Sequence, residues 1–429
     1  MRFRPGLFGL LSLAAGVAVA AAGNDLPAAK PESVGMSSER LGRLNQDMTS
    51  LVDQGRLSGV VTMVARHGKV VEFDAVGKRD RASDAPMRKD SIFRIYSMSK
   101  PITGVAMMML FEEGKWQLED PVAKYIPEFA NLKVLNLDQH NNMSLKDPVH
   151  PVTMRELMSH SGGFTYGFFS NTPVDKLQRE ADVLNIDNTL DEFIKRVAKL
   201  PLNSQPGSEW HYSISADIQG YLVQKLSGMR FDEFLQKRIF KPLGMNDTGF
   251  YVPHEKLNRF AELYGYDADG HLQTVKTTES LNHDFGAKPA LLSGGGGLVS
   301  TASDYMRFCQ MLLNGGQLNG VRLLSPRTVD LMHTNVLAAG LHIGSDGAGF
   351  GLDFGVYTDP IAAGGYYGQG TYFWGGAAGT WFWIDPVSDL IVIGMIQQLG
   401  HMGPVGIAGI PDVSGRSHTF VYAAILDGK

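Results

Sequence analysis

Cysteine is almost absent from this chain, since Cys309 is the only one among 429 residues. An intramolecular disulfide is therefore excluded, and a large core has to supply the stability that disulfides give many exported proteins. With 44% hydrophobic residues the chain can bury such a core, and its length suggests two or three structural units. Cys309 lies in a helical pattern, which favours a buried core thiol over a catalytic one.

The chain also lacks an excess of positive charge, because 39 basic residues stand against 44 acidic ones. This balance argues against nucleic acid as a partner. At the N-terminus, Arg2 and Arg4 precede an apolar stretch, residues 7–19, that ends in small residues. The stretch is short and rich in alanine and glycine for a membrane span, and its pattern is typical of a secretory signal peptide, with an uncleaved anchor as the alternative. We predict a signal peptide over residues 1–22 and a secreted or periplasmic protein.

Two common catalytic signatures are missing. The chain has no Gly-x-Ser-x-Gly sequence, which disfavours an ordinary α/β-hydrolase, and no His-Glu-x-x-His or comparable spacing of metal ligands. The glycine run at residues 294–297 lacks the lysine and the glycine spacing of a phosphate-binding loop. We therefore expect neither a metal nor another cofactor.

Two β-hairpins are predicted near the two ends of the chain. Residues 59–66 and 70–73 flank one tight turn, and residues 380–384 and 390–396 flank another. Between the hairpins, from Lys100 to about residue 240, apolar residues mostly recur at helical spacing. The sequence therefore predicts an α+β fold in which a sheet built from both chain ends is joined to a mainly helical region.

The sequence Ser97-Met98-Ser99-Lys100 lies where an extended run gives way to a helical one. Residues three apart on a helix share a face, so the Lys100 amine can lie beside the Ser97 hydroxyl. A serine hydroxyl is a poor nucleophile until a neighbouring group takes or shares its proton. The unpaired N–H groups of the first helical turn can face a developing negative charge. Ser97 is therefore the candidate nucleophile.

Two further segments are candidates for the same site. Tyr212 follows a turn-rich stretch at a loop-to-helix junction, from which its phenol can project into a cleft, although by itself it could equally be a packing residue. Residues 374–379 read Trp-Gly-Gly-Ala-Ala-Gly at the start of the last hairpin. Glycines there let a ligand approach the strand and leave N–H groups available as an oxyanion hole, although a plain glycine-rich strand entry explains them as well.

The order of these three segments resembles the serine β-lactamase and penicillin-binding-protein superfamily. Within it the chain is most similar to the class C β-lactamase branch, and specifically to the family VIII carboxylesterases. The strings that carry the resemblance include residues 93–103, 157–163, 242–245 and 295–301. The resemblance implies a β-lactamase/transpeptidase-like fold with a central antiparallel sheet flanked by helices. We assign residues 23–96 and 285–429 to a discontinuous sheet domain and residues 97–284 to a mainly helical domain, with the active site at their interface.

The resemblance also implies a role for each candidate residue. Ser97 would form an acyl-enzyme, Lys100 would hold the proton network, and Tyr212 would act as general base, with either Lys100 or Tyr212 taking the first proton. The backbone N–H groups of Ser97 and Ala377 would form the oxyanion hole, and no metal is required. His160, in a His-Ser-Gly-Gly string, would be structural and not a triad base.

Two departures from the class C pattern indicate the substrate. The Lys-Thr-Gly motif is replaced by Trp-Gly-Gly at residues 374–376, and Tyr-x-Asn is replaced by Tyr-Ser-Ile at residues 212–214. An indole and an aliphatic chain thus stand in place of a cation and an amide, which favours a neutral, apolar acyl or alcohol group. We therefore predict an esterase of small to medium acyl esters. The predicted substrate-binding residues are Trp374, Gly375, Gly376, Phe164 and Tyr166.

Other functions stay open at the level of the sequence. A class C-like β-lactamase or a D-Ala peptidase would share the nucleophile and differ in the acyl donor. A non-catalytic sensor that binds acyl groups or peptidoglycan would keep the fold without turnover. An acyl-enzyme can also pass its acyl group to an alcohol or an amine.

Overall fold

The computed structural model describes residues 26–140, 142–267, 269–275, 283–403, 406–408 and 411–427. The predicted signal peptide, residues 1–22, lies outside them. The helices are α1 Ser38–Asp53, α2 Ser99–Glu112, α3 Met154–Met158, α4 Pro173–Glu180, α5 Leu190–Val197, α6 Ser215–Ser227, α7 Phe231–Leu235, α8 Lys241–Leu243, α9 Ala302–Leu313, α10 Pro326–Met332 and α11 Val413–Ala423. In the described part of the chain, no helix is both long enough and apolar enough to cross a membrane.

The strands form one large sheet and several short two-stranded pairs. They are β1 Gly59–Arg66, β2 Lys69–Asp80, β3 Ala85–Pro86, β4 Phe93–Arg94, β5 Val134–Leu137, β6 Met143–Lys146, β7 Tyr264–Tyr266, β8 Leu272–Thr274, β9 Val299–Ser300, β10 Gln317–Leu318, β11 Val321–Arg322, β12 Ala348–Phe350, β13 Gly355–Tyr357, β14 Tyr372–Gly375, β15 Trp381–Asp385, β16 Leu390–Met395, β17 His401–Gly403 and β18 Gly406–Ala408.

Eight strands form the large antiparallel sheet in the order β12-β13-β14-β15-β16-β1-β2-β3. β16 pairs with β1, so Val61 lies opposite Met395 and the sheet is assembled from both ends of the chain. β1 and β2 meet at a turn whose residues His67 and Gly68 have φ angles of 51° and 69°, the geometry that matches the twist of a tight hairpin. Both predicted hairpins are present, and the predicted α+β fold is confirmed.

Side chains of the central strands alternate between two cores, because successive residues of a strand point to opposite faces. Val60 and Val64 of β1 belong to a core that α1 and α11 cover, whereas Val61 and Met63 belong to a larger core on the other face. The larger core continues from the sheet into α2, α5 and α6. The division into a sheet domain and a helical domain stays a prediction.

Helix α2 runs through the middle of this larger core. Residues 99–110 are all buried, so the helix has no polar face for solvent. Its N-terminal turn carries Lys100, whose side chain is fully buried. Cys309 is likewise buried in α9, and burial raises the pKa of its thiol, as expected for a core residue.

Candidate active site

Ser97 lies in a single 3-10 turn, Tyr96–Met98, directly before α2. The spacing predicted Ser97 and Lys100 on one face of an α-helix. The 3-10 turn continues directly into α2, which carries Lys100, and the Lys100 Nζ atom lies 3.2 Å from the Ser97 Oγ atom. Tyr96 enters the turn with a φ of 41°, an uncommon conformation for a bulky residue, and it is buried.

The Lys100 amine faces three acceptors. It donates to the carbonyl oxygen of Gly295 at 2.7 Å, to Ser97 Oγ at 3.2 Å and to Tyr166 Oη at 3.4 Å. An ammonium group has three protons and no lone pair, so this set matches its charged form. The amine also lies 4.5 Å from the centre of the Tyr212 ring, where the π face of the ring attracts a cation.

Tyr212 lies in the irregular segment that precedes α6. Its position is fixed from one side by His160, whose Nδ1 atom accepts the Ser213 N–H at 3.2 Å and whose ring lies 5.0 Å from the Tyr212 ring. From the other side, the indole Nε1–H of Trp374 donates to Tyr212 Oη at 3.3 Å. From the sequence, Trp374 was predicted to be a substrate-binding residue with an apolar ring. The structure gives it a polar contact with the phenol.

His160 is built into the fold beneath this tyrosine. It is buried with a φ of 57°, and it packs against Trp210 and Phe350 as well as Tyr212. Burial, with the charges of Lys100 and His211, lowers its pKa well below the ordinary range for histidine. A neutral ring that accepts a backbone N–H fits the structural role that the resemblance implied.

A narrow cavity of about 70 Å³ opens beside Ser97. Tyr166, Phe168, Phe169, Leu184, Ile186, Phe285 and Leu291 supply most of its apolar wall. The described residues that line it include no lysine, arginine, aspartate or glutamate. Ala377 lies at the same cavity, and its N–H donates to no acceptor within the described chain, which leaves it free for an oxyanion.

The structure distributes the other predicted substrate-binding residues differently. Phe164 packs against Phe129 in the core and does not line the cavity. Gly375 ends strand β14, and Gly376 follows it, with its N–H bonded to the Thr380 carbonyl at 2.7 Å. A Cβ atom on Gly376 would lie 2.4 Å from the carbonyl oxygen of Ile95, so only glycine lets this strand approach the segment before Ser97. These glycines shape the site without lining the cavity.

Sequence reasoning missed two parts of the site. The first is Asp217, a fully buried carboxylate in the first turn of α6. The second is the glycine run at 294–297, rejected as a phosphate loop, whose Gly295 carbonyl receives the Lys100 amine. The sequence did contain a signal for Asp217. This aspartate lies among apolar residues such as Ile214 and Ile218, where a charged side chain is not expected without a role.

A possible metal-ligand set exists elsewhere. In the described part of the chain, Asp267, Asp269 and His271 bring their ligand atoms within 4.8 Å of one another. They lie at the turn between β7 and β8, where Asp267 already accepts the N–H groups of the other two residues. None of the candidate catalytic residues belongs to this set.

Residues 44–409 match the model of the family described as Beta-lactamase. The chain belongs to the Beta-lactamase family. The resemblance to the serine β-lactamase and penicillin-binding-protein superfamily is thereby confirmed. Among similar proteins, protein Rv1367c of Mycobacterium tuberculosis is 35% identical to this chain, over 84% of the chain and 92% of its own length. Esterase EstB of Burkholderia gladioli is 31% identical over 85% of the chain and 93% of its own length.

A solved structure agrees with this family membership. EstCE1, described as a hydrolase with promiscuous acyltransferase activity, superimposes with a TM-score of 0.74 at 26% identity. The superposition covers 91% of this chain and 99% of EstCE1. The two share the overall fold along nearly their whole length.

Proposed function

We propose that the protein is a serine carboxylesterase that forms an acyl-enzyme on Ser97. The observation that carries the proposal is that Lys100 contacts both Ser97 and the ring of Tyr212 beside an apolar cavity, whose described lining has no lysine, arginine, aspartate or glutamate. The similarity to an esterase, EstB, and to a hydrolase, EstCE1, supports the same activity.

The contacts of Lys100 favour Tyr212 as the group that takes the Ser97 proton. An amine that donates to Gly295, Ser97 and Tyr166 has no lone pair with which to accept a further proton. The Tyr212 oxygen, in contrast, accepts from Trp374, and the Lys100 amine lies 4.5 Å from the centre of the Tyr212 ring. A hydrogen-bond donor and a nearby cation both favour a phenolate.

The reaction then follows from these positions. Ser97 Oγ attacks the ester carbonyl carbon as its proton passes to Tyr212, and the carbonyl oxygen becomes an oxyanion that faces the N–H groups of Ser97 and Ala377. Tyr212 returns the proton to the departing alkoxide, which leaves as the alcohol. Water repeats the sequence on the acyl-enzyme, so that the acid is released and Ser97 regains its proton.

The cavity sets the expected substrate. Its aromatic and aliphatic wall favours an uncharged acyl group, and a volume of about 70 Å³ favours a short one. By the resemblance, Trp374 stands at the motif position of the lysine with which a class C β-lactamase binds the substrate carboxylate, and the loss of that cation disfavours β-lactams and peptide acids. We therefore expect small to medium acyl esters to be the best donors.

The test is hydrolysis of p-nitrophenyl acetate, butyrate and octanoate beside a chromogenic cephalosporin, with the mature protein and its Ser97→Ala variant. Ester turnover that the variant loses is the expected result. Faster turnover of the cephalosporin would transfer the assignment to a β-lactamase. The absence of turnover, together with no labelling by a serine-directed phosphonate, would favour a non-catalytic sensor.

Export to the periplasm or beyond is a second, independent part of the proposal. It depends on Arg2, Arg4 and the apolar residues 7–19 alone. N-terminal sequencing of the protein from a periplasmic fraction should give a chain that begins near residue 23. An intact N-terminus in the cytoplasmic fraction would contradict it.

A further inference from the structure

Asp217 lies behind the Lys100 amine and is connected to it through the glycine run. Its Oδ1 atom accepts the N–H of Gly295 at 3.0 Å and the hydroxyl of Ser293. The carbonyl of the same Gly295 accepts Lys100 Nζ at 2.7 Å, the shortest contact of that amine. The buried Asp217 carboxylate therefore positions Gly295, whose carbonyl oxygen accepts a hydrogen bond from the Lys100 ammonium.

A second connection passes through Tyr166. A Cβ atom on Gly295 would lie 2.5 Å from Asp217 Oδ2 and 2.7 Å from Tyr166 Oη, so the carboxylate and the phenol both lie close to this glycine, and Oδ2 accepts no hydrogen bond within the described chain. Burial raises the pKa of Tyr166 well above the ordinary range, and the charge of Asp217 adds to the shift. The phenol thus keeps its proton and stands as a dipole between the carboxylate and Lys100, 3.4 Å from the amine.

The other titratable groups that face Lys100 supply little negative charge. Tyr166 and Tyr212 lie against the amine, and His160 is neutral because burial lowers its pKa. Asp353, which packs against Gly104 of α2, has its pKa raised to about 8 by burial and holds a proton at neutral pH. Burial also raises the pKa of Asp217, but Lys100, Ser293 and the Gly295 N–H oppose that shift.

We propose that Asp217 is a positioning residue for Lys100: it fixes the Gly295 carbonyl against the amine, and its charge keeps the amine a proton donor. This inference rests on the proposed esterase function. In this inference Asp217, which does not touch the substrate, stabilises the ammonium form of Lys100. Because an ammonium cannot accept a proton, Tyr212 is then the base.

The test is Asp217→Asn, because an asparagine Oδ1 still accepts from Gly295 and Ser293 while the charge is removed. With p-nitrophenyl butyrate we expect kcat to fall at least about tenfold with little change in KM, since a tenfold loss corresponds to one weakened interaction in the transition state. An opposite charge favours the charged form of its neighbour by about one unit or more on the pH scale. The alkaline limb of the kcat/KM profile should therefore move to lower pH by about that amount.

Asp304→Asn is the matched control. Asp304 is also a buried carboxylate that accepts one backbone N–H, from Asp247 at 2.7 Å, and one hydroxyl, from Thr248 at 2.9 Å, but it belongs to α9 and has no contact with Lys100. We expect this variant to keep the wild-type pH profile. An unchanged profile in Asp217→Asn, or an equal loss of kcat in both variants, would overturn the inference.

Failure of this inference and failure of the proposed function give different results. If the wild-type protein hydrolyses esters, Ser97→Ala does not, and Asp217→Asn keeps the wild-type profile, then only the role of Asp217 is wrong. If the wild-type protein hydrolyses no ester, the proposed function itself is wrong. If Asp217→Asn does not fold, Tyr166→Phe is the second variant, because it removes the hydroxyl dipole beside the amine. The alkaline limb of its kcat/KM profile should also move to lower pH. An unmoved limb would overturn the inference.

Discussion

Replacement of Trp374 by phenylalanine separates the two roles that its indole can have. The variant keeps an aromatic ring against Tyr212, whose centre lies 5.4 Å from the indole, and removes the N–H that donates to Tyr212 Oη at 3.3 Å. A hydrogen bond to a charged oxygen contributes roughly 1.5–3 kcal/mol. Because 3.3 Å is longer than the usual N–H···O distance, we take the lower end, about 1.5 kcal/mol.

A loss of about 1.5 kcal/mol corresponds to a decrease of roughly tenfold in kcat/KM. If the N–H holds Tyr212 in the phenolate form that takes the Ser97 proton, its loss lowers the share of enzyme that has an active base. The decrease then belongs to kcat, and it is the same for acetate and butyrate esters. The assay is steady-state hydrolysis of both p-nitrophenyl esters by the wild type and Trp374→Phe. An unchanged kcat with a KM that rises with acyl length would refute this reasoning and return Trp374 to the role of an apolar wall.

Trp210→Phe supplies the matched control for that experiment. Trp210 also stacks on Tyr212, with ring centres 6.1 Å apart, but its buried Nε1–H donates to no acceptor in the described part of the chain. The same change of ring therefore removes no hydrogen bond. We expect kcat to stay at the wild-type value.

Four further substitutions, one of them a control, test other parts of the site and the core. His160→Gln removes the ring nitrogen that accepts the Ser213 N–H, so urea unfolding should show that the free energy of unfolding falls by about 1–3 kcal/mol. The loss in kcat, expressed as a free energy, should be smaller than this loss in stability. Gly295→Ala should lose both activity and stability, because its Cβ would lie 2.5 Å from the Asp217 carboxylate, whereas Gly296→Ala, whose Cβ meets nothing nearer than 3.9 Å, should melt like the wild type. Asp353→Asn tests a pH dependence. Burial raises the Asp353 pKa to about 8, so the native chain keeps a proton that the unfolded chain releases above about pH 4, and stability falls by up to about 1.4 kcal/mol per pH unit as pH rises through this window. The variant should show a shallower fall in unfolding free energy between about pH 5 and about pH 9, and an unchanged slope would contradict the assignment.

The part of the site that was predictable from the sequence is the part that depends on short-range spacing. Ser97 and Lys100 lie three residues apart, so any helical turn brings them together, and both hairpins follow from alternating apolar residues around a turn. Phe164 and Phe168 show the limit of such patterns. Both are aromatic residues of one segment, but Phe164 enters the core and Phe168 lines the cavity, and only the path of the loop decides between them.

Contacts between distant segments were beyond the reach of the sequence. The carboxylate of Asp217 meets Gly295, which is 78 residues away along the chain, and the Trp374 N–H meets a phenol 162 residues away. No local pattern encodes either distance. The sequence still contained an indirect indication of Asp217, because a carboxylate among apolar helix residues is costly to bury unless hydrogen-bond donors satisfy it.

Mass spectrometry of the acyl-enzyme tests the central claim most directly. The wild-type protein and Ser97→Ala would each be quenched in acid during turnover of p-nitrophenyl butyrate and digested. The account predicts one butyryl group, on the peptide that contains Ser97, and neither adduct nor turnover in the variant. A butyryl group on another residue, or continued turnover by Ser97→Ala, would contradict it.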